Sequence, residues 1–135
     1  MAANARAFIE KVLNIVKARD FAQIADLLAP EACLNTPRHF KPITDPRHFA
    51  AVLMIVPQVI EGFHYSRTWA QGDIALMEFK GTIEGKQIHG LDIFELNDDN
   101  RVRELTVFLR PTTAHALLGE AEDRLIREEL ARHRL

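Results

Sequence analysis

Cysteine is nearly absent from this sequence, and so is a strong excess of either charge. The single cysteine, Cys33, excludes an internal disulfide and a thiol metal cluster. Lysine and arginine number 17 against 19 aspartates and glutamates, which gives a formal net charge of −2. The basic residues are spread along the chain and interleaved with acids, whereas nucleic-acid binders more often concentrate them in one patch. We therefore predict no nucleic-acid partner.

Long apolar runs and metal-binding spacings are also absent. No window approaches the roughly 18 uninterrupted apolar residues needed to span a bilayer. The apolar run near the start carries charges throughout, unlike a secretory signal. The six histidines show no HxH, HxxxH or HExxH spacing. The sequence predicts a cytoplasmic protein with no membrane partner, no metal site and no cofactor.

What is present is the composition of one ordinary globular domain. The chain has 135 residues, of which 47% are hydrophobic. A chain of this length buries about two thirds of its unfolded surface without disulfides or metals. We predict a single domain that spans residues 1–135.

The first half of the sequence is predicted to be mainly helical. Apolar residues recur at helical spacing over 3–19 and 20–28, and Pro30 is predicted to end the second helix. A third helix over 47–56, which Pro57 is predicted to end, is apolar nearly all round and should be buried. A short strand is predicted at 32–36. The segment NTPRHFKPITDP that follows it is rich in proline and polar residues, which indicates a loop near a pocket mouth.

From Gly62 onward the apolar residues alternate with a period of two, which predicts strands. Strands are expected at 63–69 and 74–83, followed by a long hairpin within Lys86 to Pro111. A polar turn, Asn97-Asp98-Asp99-Asn100, joins its two strands. Both of these strands are apolar on both faces, so the hairpin should lie in the interior of the sheet. The rest of the chain is predicted to be a C-terminal helix.

This order of elements predicts an α+β fold in which helices cover one face of a curved sheet. The bulky apolar residues on the other face predict a twofold dimer through that face.

Asp92 breaks the apolar pattern of the first hairpin strand. A buried, ionised carboxylate without a partner is costly, so Asp92 must be paired, protonated or directed to a cavity. Arg67, Arg110 or a backbone amide could pair with it in a structural role. The apolar neighbours favour a cavity, and Asp92 is therefore the main functional candidate.

Two stretches resemble the nuclear transport factor 2-like superfamily, above all its SnoaL-like and ketosteroid-isomerase-like small proteins. They are ARDFAQIADLLAPEACLNTP (18–37) and the hairpin, GLDIFEL-turn-RVRELTVFLRP. The resemblance implies a cone-shaped, curved, mostly antiparallel sheet wrapped around the N-terminal helices (a cystatin-like shape), with a C-terminal helix. It also implies a small apolar ligand in the cone and a homodimer through the outer sheet face.

In the isomerase branch of that superfamily, an aspartate in the strand before the polar turn is kept protonated. It donates a hydrogen bond to a developing enolate oxygen, and Asp92 falls on that position. Thr36 stands where the carboxylate base is expected. The position of the superfamily's tyrosine in the first helix falls at Val12 or nearby, where this sequence has no tyrosine. A threonine hydroxyl cannot take a carbon-bound proton unaided at neutral pH.

The resemblance thus implies an isomerase or cyclase that acts on an apolar carbonyl or cyclic substrate, with Asp92 as the acid or hydrogen-bond donor. The alternative is a non-catalytic, dimeric module that binds a ligand or a protein. A purely structural dimer is a third option.

Further candidates accompany Asp92, and each has a structural alternative. Arg38 and His39 lie in the predicted mouth loop, where most charges are merely solvated. Tyr65 and Trp69 share strand parity, which places them together in the cavity, the core or a dimer contact. The predicted pocket residues are Thr36, Arg38, His39, His64, Tyr65, Trp69, Met77, Phe79, Leu105, Val107 and Leu109.

Overall fold

The computed structural model describes residues 3–132, so the two residues before and the three after them in the predicted domain lie outside it. The elements in chain order are α1 (Ala5–Ala18), a 3₁₀ helix (Phe21–Leu27), β1 (Leu28–Asn35), α2 (Pro46–Val59), β2 (Glu61–Gln71), β3 (Ile74–Ile83), β4 (Lys86–Leu96), β5 (Val102–Arg110) and α3 (Thr112–Arg132). This order confirms the α+β prediction, C-terminal helix included. Within the described residues, no helix is long and apolar enough to cross a membrane.

The five strands form one open, curved sheet in the order β1-β5-β4-β3-β2. β1 runs parallel to β5, and the other neighbouring pairs are antiparallel. The hairpin of β4 and β5 therefore lies inside the sheet, as predicted from its two apolar faces. From Ile88 to Leu96, the even-numbered residues of β4, among them Asp92 and Phe94, are buried, while the odd-numbered ones are half-buried.

The helices cover the inner face of the sheet, and the core lies between them. α1 begins after Asn4, whose side chain accepts a hydrogen bond from the Ala7 N–H. Its Phe8 ring packs at 5.0 Å from that of Phe94 on β4. α2 begins after Asp45, whose side chain accepts from the Arg47 N–H. These two caps fix where each helix starts relative to the sheet.

Two prolines were predicted to end helices, and both predictions are wrong. The second helix is a 3₁₀ helix that ends at Leu27, and Pro30 lies inside β1. A proline is tolerated there because β1 is an edge strand and its register with β5 shifts between Leu28 and Cys33. Pro57 is buried within α2, which continues to Val59. Lying in the last turn, Pro57 removes one hydrogen bond without ending the helix.

A β-bulge interrupts the pairing of β2 with β3. Tyr65 pairs with Phe79 and Arg67 pairs with Glu78, so Ser66 is an extra residue in β2. Beyond the bulge, the side chains of β2 change faces. Tyr65 points inward with Phe79, whereas Trp69 pairs with Leu76 on the outer face and is 44% exposed. The predicted shared face of Tyr65 and Trp69 is therefore wrong.

Candidate functional site

An apolar cavity lies between the inner face of the sheet and the helices that cover it. Its volume is about 80 Å³, more than the roughly 10–15 Å³ that one water molecule requires. The walls are mainly aliphatic and aromatic side chains from both layers, among them Phe8, Val12, Val16, Ile24, Val52, Val56, Phe63, Phe79, Phe94, Val107, Leu109 and Leu118. Only a few polar side chains line it: Thr36, Arg38, Tyr65, Asp92, His115 and Glu122.

Asp92 and Tyr65 form a hydrogen-bonded pair in the wall of this cavity. The Tyr65 hydroxyl donates to Oδ2 of Asp92 over 2.9 Å. Asp92 is 6% exposed, and this burial raises the pKa of its carboxyl group to about 7 against the opposing effect of the Tyr65 hydrogen bond. Burial and the adjacent Asp92 raise the pKa of Tyr65 well above its ordinary value, so its hydroxyl keeps its proton.

The second oxygen of Asp92 is available to a ligand. Among residues 3–132, Tyr65 is the only group that hydrogen-bonds the Asp92 carboxyl group. Among the same residues, every fully buried side-chain oxygen has a hydrogen-bond partner. Oδ1 of Asp92 has none, so it is not fully buried and can be reached from the cavity that Asp92 lines. Arg67 and Arg110 were predicted as possible structural partners of Asp92. They contact Glu78 and His89 on the outer face instead.

A second buried carboxyl group, Glu122 of α3, lines the same cavity. It is 6% exposed, and burial raises its pKa to about 7, with Arg38 opposing and Asp123 adding to the rise. The sequence analysis missed Glu122 because charged residues surround it in the sequence. The signal was its spacing: it lies four residues after Leu118 and four before Ile126, on the buried stripe of the helix.

Arg38 ties the loop after β1 to α3 beside Glu122. Its guanidinium donates two hydrogen bonds to Asp123, of 2.6 and 3.0 Å, the fork geometry that makes such pairs strong. Gly119 makes room for the Arg38 side chain, because a Cβ at that position would lie 3.1 Å from the guanidinium carbon. The loop predicted to lie near a pocket mouth therefore contributes Arg38 to the cavity and contacts the C-terminal helix.

Thr36 lines the cavity but has a local role in the same loop. Its hydroxyl oxygen accepts hydrogen bonds from the backbone N–H groups of Arg38 and His39, both of 3.3 Å. His39 itself is exposed and lies outside the cavity lining.

Four other predicted pocket residues also lie outside the cavity lining. His64 is exposed, with Nδ1 at 2.9 Å from the Gly62 carbonyl oxygen. Trp69 lies on the outer face beyond the bulge. Met77 and Leu105 are fully buried in the hydrophobic core. The cavity brings together the remaining predicted residues: Thr36, Arg38, Tyr65, Phe79, Asp92, Val107 and Leu109.

The outer face of the sheet carries its own charged cluster around Glu78. Arg67 donates to Glu78 over 2.6 and 2.8 Å, Ser66 over 2.8 Å, and His89 lies 2.7 Å from it. These partners, Arg67 first, lower the pKa of Glu78. His89, three residues before Asp92 on β4, thus lies on the face opposite Asp92. Among residues 3–132, no group of three or more His, Cys, Asp or Glu side chains is arranged to hold a metal ion.

Comparison with known proteins identifies the fold through solved structures. No protein-family model and no curated protein sequence matches the chain. A steroid delta-isomerase from Pseudomonas aeruginosa superposes with a TM-score of 0.87 at 28% identity, over 97% of both chains. An uncharacterized bacterial protein with a cystatin-like fold from Silicibacter pomeroyi superposes with a TM-score of 0.79 at 28% identity, over 86% of this chain and 82% of that one.

A third match extends the same fold to a more distant protein. A nuclear transport factor 2-like protein of unknown function from Burkholderia xenovorans superposes with a TM-score of 0.65 at 17% identity, over 83% of this chain and 90% of that one. The chain belongs to the nuclear transport factor 2-like, ketosteroid-isomerase-like superfamily, as the sequence predicted.

Proposed function

We propose that this superfamily member isomerises an apolar, carbonyl-containing cyclic substrate by acid–base chemistry, with Asp92 as the hydrogen-bond donor. The observation that carries the proposal is the buried Asp92 carboxyl group, hydrogen-bonded through one oxygen to Tyr65 in an otherwise apolar cavity. Similarity to a steroid delta-isomerase along nearly the whole chain supports the choice of reaction class.

The Asp92–Tyr65 pair suits the stabilisation of a developing enolate. With a protonated Asp92, Oδ2 accepts the Tyr65 hydrogen bond and the O–H group at Oδ1 donates a hydrogen bond to the carbonyl oxygen of the substrate. That bond strengthens as negative charge grows on the oxygen, so it stabilises the transition state more than the bound ketone. The walls bind the rings and exclude water, which strengthens the interaction further.

An apolar substrate also favours the required protonation state. The pKa of Asp92 is raised to about 7 by burial, so both forms exist near neutral pH. A bound ligand removes remaining water from the carboxyl group and disfavours its charged form. Contacts with the substrate are proposed for the predicted residues that line the cavity: Thr36, Arg38, Tyr65, Phe79, Val107 and Leu109.

The test compares wild type with Asp92→Asn on β,γ-unsaturated cyclic ketones, steroidal and smaller, by the ultraviolet absorbance of the conjugated product. We expect turnover by wild type and a loss in kcat of about 10²–10³-fold in Asp92→Asn, the effect of weakening one oxyanion donor. Glu95→Gln is the matched control, because Glu95 lies on the same strand with odd parity, away from the cavity. Equal turnover by Asp92→Asn and wild type would contradict the proposal.

A non-catalytic ligand-binding module is the second candidate. It is favoured by Thr36 and Val12, which occupy the positions where the resemblance expects a base and a tyrosine. Saturated and unsaturated ketones are then bound without turnover, and binding survives Asp92→Asn. A ligand at a hundred times its Kd adds about 2.7 kcal/mol to the free energy of unfolding, so a thermal-shift series on the same variants separates the two candidates.

We also propose that two chains pair through the outer face of the sheet. Trp69 and Phe108, which line an open depression on that face, are 44% and 55% exposed. Exposed aromatic residues grouped on one face are typical of protein interfaces. A cytoplasmic location stays a prediction from the sequence.

A further inference from the structure

Enolisation requires a group that accepts a proton from carbon, and the expected position does not supply one. The Thr36 hydroxyl oxygen accepts two backbone hydrogen bonds and is a poor base. Of the described residues that line the cavity, the possible proton acceptors are Asp92, His115 and Glu122. Asp92 is already assigned as the donor. His115 has Nε2 at 2.9 Å from the Leu109 carbonyl oxygen, so that nitrogen carries a hydrogen and donates it, which leaves Nδ1 as its only proton acceptor.

The position of Glu122 is suited to proton transfer. It projects from the buried stripe of α3 between Leu118 and Ile126. Among residues 3–132, no group hydrogen-bonds its carboxyl oxygens, although the side chain is 94% buried (6% exposed). A carboxyl group this buried without a hydrogen-bond partner calls for an explanation. No fully buried side-chain oxygen among the described residues lacks a partner, so the Glu122 oxygens keep some accessible surface. Since it lines the same cavity as Asp92, a substrate can contact both groups.

The charges around the two carboxyl groups differ in a way that assigns their roles. Arg38 lies close enough to Glu122 to favour its ionised form, and its effect exceeds the opposite effect of Asp123. Asp92 has a neutral partner, Tyr65, and no cation among the groups that act on its pKa. Burial raises the pKa of both groups to about 7, and the cation beside Glu122 favours the arrangement in which Glu122 is ionised while Asp92 keeps its proton.

We infer that Glu122 is the general base of this site, an inference that rests on the proposed function. The Glu122 carboxylate takes a proton from the carbon between the carbonyl group and the double bond of a β,γ-unsaturated ketone. The C–H electron pair forms the enolate, whose oxygen accepts the hydrogen bond of Asp92. Glu122 then returns the proton to the γ-carbon and the double bond becomes conjugated. The step balances within the substrate and consumes no co-reactant.

The first experiment measures turnover of the same ketones by Glu122→Gln and Glu122→Asp. A general base contributes about 10²–10⁴-fold, so we expect a loss of that size in kcat for Glu122→Gln and a smaller one for Glu122→Asp. Glu120→Gln is the matched control, because Glu120 is exposed on the same helix. Turnover lost in His115→Gln but kept in Glu122→Gln would assign the base to His115 and overturn the inference. Glu122→Gln with wild-type turnover, while Asp92→Asn loses it, overturns the inference and leaves the proposed function intact.

The pH profile of kcat/KM gives a readout that a structural role does not produce. Activity needs an ionised Glu122 and a protonated Asp92, so the profile is a bell whose two limbs both lie near pH 7. The titratable groups around the cavity are Asp92, Tyr65, Arg38, His115 and Asp123. Arg38→Met removes the cation beside Glu122 and should move the acid limb to higher pH. Asp123→Asn removes an anion and should move it to lower pH. Shifts in the same direction would overturn the inference.

A titration of the carboxyl groups tests the inference without a substrate. In wild type, carbon-detected NMR should show Glu122 losing its proton at lower pH than Asp92, with Glu122→Gln and Asp92→Asn identifying the two signals. Loss of the proton from Asp92 first overturns the assignment of roles. If no ketone is turned over although this order is observed, the proposed function fails for the ketones tested while the charge arrangement of the site stands.

Discussion

Two opposing effects determine the protonation of Asp92 at the scale of single residues. Burial raises its pKa, and the hydrogen bond from Tyr65 lowers it. The same hydroxyl holds the carboxyl group through Oδ2, over 2.9 Å. Tyr65 thus influences both the orientation of the Asp92 carboxyl group and the fraction of that group that is protonated.

Tyr65→Phe should raise the pKa of Asp92 further above its ordinary value. The substitution removes the hydrogen bond that favours the charged form and keeps the ring that buries it. It should also lower the free energy of unfolding by about 1 kcal/mol, because one buried hydrogen bond is lost. NMR titration of the Asp92 carboxyl carbon measures the first effect and denaturant unfolding the second.

Phe63→Leu serves as the control for Tyr65→Phe. The Phe63 ring packs edge-on against Tyr65 with centroids 5.2 Å apart, but it carries no hydrogen-bond donor. Its loss should leave the titration of Asp92 closer to wild type. A lower pKa of Asp92 in Tyr65→Phe would contradict the expected role of the hydroxyl.

The two carboxyl groups show what sequence can predict of a site. Asp92 is visible because a charge interrupts a strand that is otherwise apolar on both faces. Glu122 is not, because α3 carries many charges and a single buried one differs only by its spacing from Leu118 and Ile126. The cavity itself arises from packing between layers, so its lining cannot be separated from the core by alternation: Met77 and Leu105 share the pattern of lining residues and lie in the core.

Among the elements, β4 shows how a glycine shapes the cavity wall. A Cβ on Gly90 would lie only 2.1 Å from the tip of the Phe79 ring, which pairs across from it on β3. The missing side chain therefore lets the Phe79 ring lie flat against the sheet beside the cavity. Phe79 also stacks on Phe63 at 5.3 Å, which limits where the ring can move.

Gly90→Ala should destabilise the protein by about 1–3 kcal/mol, the usual effect of overpacking a well-packed core. Denaturant unfolding measures the change. The control is the same substitution in a Phe79→Leu background, where the smaller side chain leaves room for the new methyl group. The effect of Gly90→Ala should shrink there, and an equal loss in both backgrounds would refute the steric explanation.

Strands and helices are predicted correctly where turn residues flank a clear alternation of apolar and polar residues. β3 is predicted with its observed limits, 74–83, because glycine-containing turns precede and follow it. Pro30 and Pro57 mislead because the tolerance of a proline depends on strand order and on position within a helix. The bulge at Ser66 leaves no local signal, since the extra residue is defined only by pairing with β3.

At the scale of the whole molecule, the two faces of the sheet have different roles. The inner face forms the core and the cavity, and the outer face presents Trp69 and Phe108 around the charged cluster of Glu78. The cluster is internally paired, so it can be covered by a second copy without leaving Glu78 unpaired.

Phe108→Glu should convert a wild-type dimer to a monomer, because it places a charge in the centre of the proposed interface. Sedimentation velocity over a range of concentrations measures the change. Phe40→Glu is the matched control: Phe40 is fully exposed but lies in the loop between β1 and α2, away from the outer face. A monomeric wild type, or an unchanged dimer in Phe108→Glu, would contradict the proposed pairing.

The bulge at Ser66 also affects how this chain is compared with its relatives. One inserted residue decides that β2 gives a hydroxyl to the interior at Tyr65 and an indole to the exterior at Trp69. In a homologue that lacks the insertion, residues aligned without a gap would match interior positions on one side of Ser66 and exterior positions on the other. An alignment must therefore place the gap at Ser66 before the residues of the cavity or of the interface are assigned from one member of the superfamily to another.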